Sequence, residues 1–162
     1  MISGRGLKVA IAFVILVMLH YTLRPLLAWR ASPDFLVIAL LLVAVRVRPG
    51  TAAIVGLLLG LVADSLMLSG FGSSALAMAS IGFAAAWLKA VFFADNLVLN
   101  GFFFFLGKLA FDVIYLLTER RVGGGELLAE LLVWSPLRAA VTAAAGLLML
   151  ALLKPMLQPA DA

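Results

Sequence analysis

The chain has 162 residues, 65% of them hydrophobic and only 12% charged, with a mean hydropathy of +1.21. A soluble domain of this size has too much surface for its volume to hide so much apolar area, so the composition points to a polytopic all-α membrane protein. The absence of cysteine excludes disulfides, thiolate catalysis and cysteine metal sites, and the net charge of +4 reads as basic residues flanking apolar spans rather than a nucleic-acid footprint.

Six apolar segments follow in chain order. A β-barrel is excluded because runs such as FLVIALLLVAV (residues 35–45) do not alternate. The first predicted helix covers about 7–27 and ends near Arg24-Pro25, with Trp29 and Arg30 beyond it. Arg5, Lys8 and the apolar run after them imitate a signal peptide, but the arginines and tryptophan that follow suit the wet end of a retained helix. Ser32-Pro33-Asp34 opens a second helix, about 33–46, too short for an ordinary span and followed by Arg46, Arg48 and the turn Pro49-Gly50. A third helix is expected over 51–68 and a fourth over 74–93, joined by a glycine-rich turn, Ser69 to Ser73. Asp95-Asn96 caps a fifth helix over 97–118, and a sixth covers 136–153. Between these two lies the one sizeable polar insert. Its residues 126–134 read either as an amphipathic helix in the membrane interface, with Glu126 and Glu130 on the wet side and Trp134 as anchor, or as a plain connecting loop.

Basic residues in short loops set orientation. With the N-terminus inside, Arg5, Lys8, Arg46, Arg48, Lys89 and Lys154 lie on the cytoplasmic side, against Arg24, Arg30, Arg120 and Arg121 outside. Both termini are therefore expected in the cytoplasm.

The residues that are expensive in lipid carry the functional question. Lys108 falls near the middle of the fifth segment and Asp112 four residues on, hence on the same helix face. Intramembrane charges cost several kcal/mol on insertion scales, so they pair or face a cavity. The pair reads as a self-neutralising lock between helices, as a proton or ion relay, or as part of a partner site or pocket. Depth places Asp64, at the outer end of the third helix, and Arg138, in the first turn of the sixth, at a similar level, with His20 in the same outer half. Asp64, Lys108, Asp112 and Arg138 are therefore expected to form a neutral charge cluster.

Small residues mark packing faces, because helices in lipid associate by close backbone approach. Gly56 and Gly60 form one such face, Ala139, Ala143 and Gly146 a second, and Ala75 and Ala79 a third. Internal packing and an oligomer contact are both open for them. Catalytic constellations are missing: the single His20 has no cysteine or second histidine to make a metal site, the serines near Asp64 have no histidine base, and no phosphate-binding loop occurs. The reading is of a protein with no enzymatic activity, no metal and no cofactor.

The stretch from Ser32 to Ala77 resembles the core of the bacterial rod shape-determining MreD family. Pro33-Asp34 opens the second helix as in that family, and Arg46 and Arg48 follow it. A glycine-spaced helix then runs into Leu-x-x-Asp, here Gly56, Gly60, Leu61 and Asp64. A Ser-Gly turn follows, here Ser69-Gly70-Phe71-Gly72, with a glycine displaced and without the proline often found there. The second half matches in hydropathy and in its polar fifth helix. The resemblance implies six transmembrane helices, a fold similar to the S components of energy-coupling-factor transporters, and a non-catalytic scaffold in the cell-elongation machinery. It implies MreC as direct partner, through its membrane helix and periplasmic region. MreB and the RodA–penicillin-binding-protein peptidoglycan synthase would share the assembly. The other functional reading is a substrate-binding subunit of a vitamin transporter. The charge cluster is the feature both readings would use.

Overall fold

The computed structural model describes residues 4–27, 31–65, 71–92, 96–119 and 124–157. They are helical almost throughout: α1 (Gly4–Leu27), α2 (Phe35–Ala44), α3 (Pro49–Ser65), α4 (Ser73–Phe92), α5 (Leu97–Glu119), α6 (Gly124–Ala129), a π turn (Glu130–Trp134) and α7 (Ser135–Leu157). Among the described residues, two helical stretches, Leu97–Glu119 and Gly125–Leu152, are long and apolar enough to cross a membrane. Trp29, Arg30, Ser69 and Gly70 lie outside the described residues.

Helix α2 is the axis of the bundle. Nine of its ten residues are buried, all but Val43, and it touches α1, α3, α4, α5 and α7. A helix that is apolar all round belongs in the middle of a fold. At 1.5 Å per residue its ten residues span only about 15 Å, half a bilayer core. Its C-terminal end is tied down by Lys89, whose Nζ donates to the Val47 carbonyl at 2.9 Å.

The closest pair in the bundle is α3 against α4, and glycine makes it possible. A Cβ at Gly56 would collide with the carbonyl of Met78, and one at Gly60 with the backbone of Ala75. Gly82 returns the arrangement from α4, where a Cβ would stand 2.5 Å from the Ala52 carbonyl oxygen. The glycine groove of α3 thus receives a helix of the same chain.

Helix α5 packs on α7 and α4 through a stripe that includes Asn100, Phe104, Lys108, Phe111 and Asp112. The Phe104 ring fits over Gly146 of α7, and Leu41 of α2 over Gly107. Ala139 and Ala143 are buried, as the small-residue stripe on α7 requires. Helix α1 contributes Ala12, Leu16 and His20 at four-residue spacing and is seated mainly on α2. Outward faces are apolar, among them Ile54, Leu58 and Val62 on α3 and Phe102, Leu106 and Leu117 on α5. That is the surface expected of a protein solvated by lipid chains.

Residues 124–134 of the polar insert and the last helix form one continuous helical run, where the sequence suggested a break before Pro136. Proline has no N–H to return to the residue four before it. The ladder shifts register just ahead of it, with the Ser135 N–H donating to the Glu130 carbonyl, and the chain stays helical through a π turn.

Candidate functional site

Lys108 holds the centre of the site. Its Nζ donates to Asp34 Oδ2 at 2.9 Å and lies 2.7 Å from Asp112 Oδ1, with all three side chains nearly out of solvent. The ammonium also stands 4.5 Å from the centroid of the Phe111 ring, a cation–π distance. His20 reaches in from α1, with Nδ1 3.6 Å from Asp34 Oδ1. Three helices, α1, α2 and α5, are thereby joined by polar side chains. A fourth, α7, is added by Thr142, whose hydroxyl accepts from the Asp34 N–H at 3.2 Å.

Asp34 has a second duty. Its Oδ1 accepts from the Val37 N–H at 3.3 Å and so caps α2. A carboxylate there suits the positive end of a helix. Because α2 is so short, that end opens at the depth of Lys108, half-way along α5, rather than at the bundle's surface. Reading the sequence gave Asp34 only a place at the start of the second helix, assigned it no depth, and so missed it as Lys108's partner. The available signal was the length of the apolar run: the eleven residues 35–45 cannot join two membrane faces, so one end must stop inside.

The four residues expected to form one cluster occupy three settings. Lys108 and Asp112 stand together, with Asp34 and His20 in place of the other two. Asp64, 2% exposed, is engaged by backbone: Oδ2 accepts from the N–H groups of Gly72 at 2.9 Å and Ala75 at 3.1 Å, and Oδ1 from Ser74 at 3.2 Å. These are N–H groups at the start of α4, which have no partner inside their own helix. Gly72 stands at the cap with φ +99° and has no side chain to offer, so the carboxylate comes from the end of α3. Arg138 pairs with Glu130 across the π turn, and lies close enough to Asp112 to act on it electrostatically.

A cavity of about 700 Å³ lies above the α2 N-terminus. Asp34, Lys108 and Asp112 line its inner part, Phe111 and Tyr115 one wall, and Trp134, Glu130 and Arg138 the side of the π turn. The Phe111 and Tyr115 rings stack at 5.7 Å. The volume exists because α2 ends half-way, leaving the other half of its column to side chains from α5 and the π turn. Arg46, Arg48 and Lys89 mark the opposite end of the bundle, beyond the α2 C-terminus. Among the described residues there is no group of three or more potential metal ligands.

The family model described as rod shape-determining protein MreD matches residues 3–154, nearly the whole chain. The chain belongs to the MreD family. It is accordingly a rod shape-determining membrane protein. No curated protein and no solved structure matches it. The residues that carry the MreD resemblance acquire physical duties in this fold. Pro33 and Asp34 lead into the buried end of α2, Gly60 admits α4, and Asp64 caps α4.

Proposed function

We propose that this MreD-family chain is a non-catalytic scaffold of the inner membrane that binds MreC and helps organise peripheral peptidoglycan synthesis. The family match over residues 3–154 is the observation that carries the reading. Two features of the fold support it. The Asp64 carboxylate is spent on capping, and Lys108 is spent on joining helices, as a rigid frame requires. The glycine faces are filled by the chain's own helices, which leaves the outer apolar faces of α1, α3 and α4 for partner helices. In this reading the chain has six spans, and both termini face the cytoplasm, since Arg46, Arg48 and Lys89 gather at the end away from the cavity. MreB and the RodA–penicillin-binding-protein synthase join through the same assembly.

The test is affinity purification in mild detergent, with photocrosslinkers at the exposed positions Leu58, Leu76 and Met18. Capture of MreC at one of these faces is the expected result. Absence of MreC from every face, in cells that express it, would overturn the scaffold reading. The cavity favours a second reading, a substrate-binding subunit similar to a transporter S component. Tight retention of a vitamin by the purified chain, with no MreC present, would replace the first reading with this one.

A further inference from the structure

The charges that line the cavity are not evenly used. Lys108 directs its ammonium to two carboxylates, and Arg138 is held by Glu130. Both cations among the described lining residues are thus engaged, and neither is free to take an anion. The acids are in a different position. Asp112 is 4% exposed and lines the cavity, yet its Oδ2 has no hydrogen-bond partner. A buried acceptor left without a donor costs free energy, more so when it is charged. Asp34 and Asp112 share the one ammonium of Lys108, and the cavity beside them is lined by Tyr115 and Trp134, aromatic residues of the kind that attract cations.

We propose that the cavity binds a primary ammonium group, which donates an N–H to Asp112 Oδ2. The oxygen lies within the wall; on binding, the carboxylate turns about its broad terminal torsion to meet the ammonium, which lengthens the Oδ1 contact with Lys108 while Lys108 keeps Asp34. The ammonium adds a second cation to a site where Lys108 is shared between two acids, and supplies the missing donor. It comes from a free amine or from a lipid headgroup such as ethanolamine; the chemistry recognised is the same. The proposal stands apart from the scaffold reading, since a bound ammonium can stabilise a frame as well as serve as cargo.

The test uses the whole chain in phosphatidylcholine nanodiscs and follows tryptophan emission, because Trp134 lines the cavity. Ethanolamine is the probe, and choline, which has no N–H to donate, is the comparison. A parallel set of discs carries a rising fraction of phosphatidylethanolamine. The expected result is a saturable emission change with ethanolamine, with the phosphatidylethanolamine discs, or with both, which identifies the source. Choline should bind at least about tenfold more weakly, as should ethanolamine to Asp112→Asn, the loss expected for one charge-assisted hydrogen bond. The response should vanish in Trp134→Phe. Equal binding of choline and ethanolamine overturns the proposal, and so does a response that survives Asp112→Asn or Trp134→Phe at full strength. No response to ethanolamine or to the phosphatidylethanolamine discs overturns it as well. Should Asp112→Asn not fold, the comparison of ethanolamine with choline on the unmodified chain decides alone.

Discussion

Asp64 and Asp112 are both aspartates, both almost fully buried, and both near the same end of the bundle. They are satisfied in opposite ways. Asp64 meets three backbone N–H groups, which are fixed in place by α4 and have no other partner. Asp112 meets one side chain, Lys108, shares it with Asp34, and keeps one oxygen unused. The α3–α4 region around Asp64 is glycine-tight, with backbone pressed on backbone. The region around Asp112 is open, because α2 stops half-way and leaves a cavity. A buried carboxylate therefore says little by itself. What distinguishes a structural acid from one with capacity to spare is whether its lone pairs are consumed by rigid donors.

This comparison can be broken most decisively at Lys108. Lys108→Met leaves Asp34 and Asp112 buried without their cation, a loss of about 3–5 kcal/mol on the scale of broken buried ion pairs. Detergent-solubilised protein should melt far below the parent or fail to fold. Asp34→Asn and Asp112→Asn added to Lys108→Met should recover most of that loss, since removing a whole buried ion group is often nearly neutral. Absence of recovery would mean that Lys108 acts through something other than these acids. Exchanging Lys108 and Asp112 should recover less than the triple neutral variant, because a lysine at 112 must still reach Asp34 on α2.

The next largest effect lies in the closed region. Gly60→Ala forces a methyl against the Ala75 backbone, where nothing can yield without moving α4. The cost should be about 1–3 kcal/mol, in the range of overpacked cores, and thermal melting in detergent reads it. Asp64→Ala should follow at about 1–2 kcal/mol, the upper range for a lost helix cap. If the closed region is purely structural, both variants reduce MreC capture only in proportion to the folded fraction. A specific loss of MreC from well-folded Asp64→Ala would give Asp64 a role in partner binding and erase the distinction.

Much of this was legible in the sequence, and the omissions share one cause. The apolar runs, the short second helix, the small-residue faces and the Lys108–Asp112 spacing all follow from local pattern. Gly56 and Gly60 were readable as a packing face, but their occupant was not, because spacing on one helix does not identify its neighbour. Ser32 was the cap expected for the second helix, and the structure gives that duty to Asp34. Its bond to Lys108, 74 residues away, depends on how deep α2 begins, and depth is a property of the assembled bundle. Asp64 was placed with Lys108 because both were assigned by depth alone; the free N–H groups of α4 are nearer and need no charge to pair with. Ser135-Pro136 looked like a helix start, and the π turn that carries the chain through it has no sequence signature of its own.

The smallest effect tests the mouth of the cavity. The Arg138–Glu130 pair is partly exposed, with side-chain accessibilities of 25% and 19%. Pairs of this kind contribute about 0–1 kcal/mol, so Glu130→Gln should leave the melting temperature almost unchanged. Its consequence should appear in the cavity instead. With Glu130 neutralised, the Arg138 charge is less offset and acts more strongly on the acids that line the space, Asp112 among them. A less offset cation there competes with a bound ammonium, so ethanolamine affinity should fall while stability does not. A fall in stability with unchanged affinity would make Glu130 a brace for the π turn and would separate the mouth of the cavity from its floor.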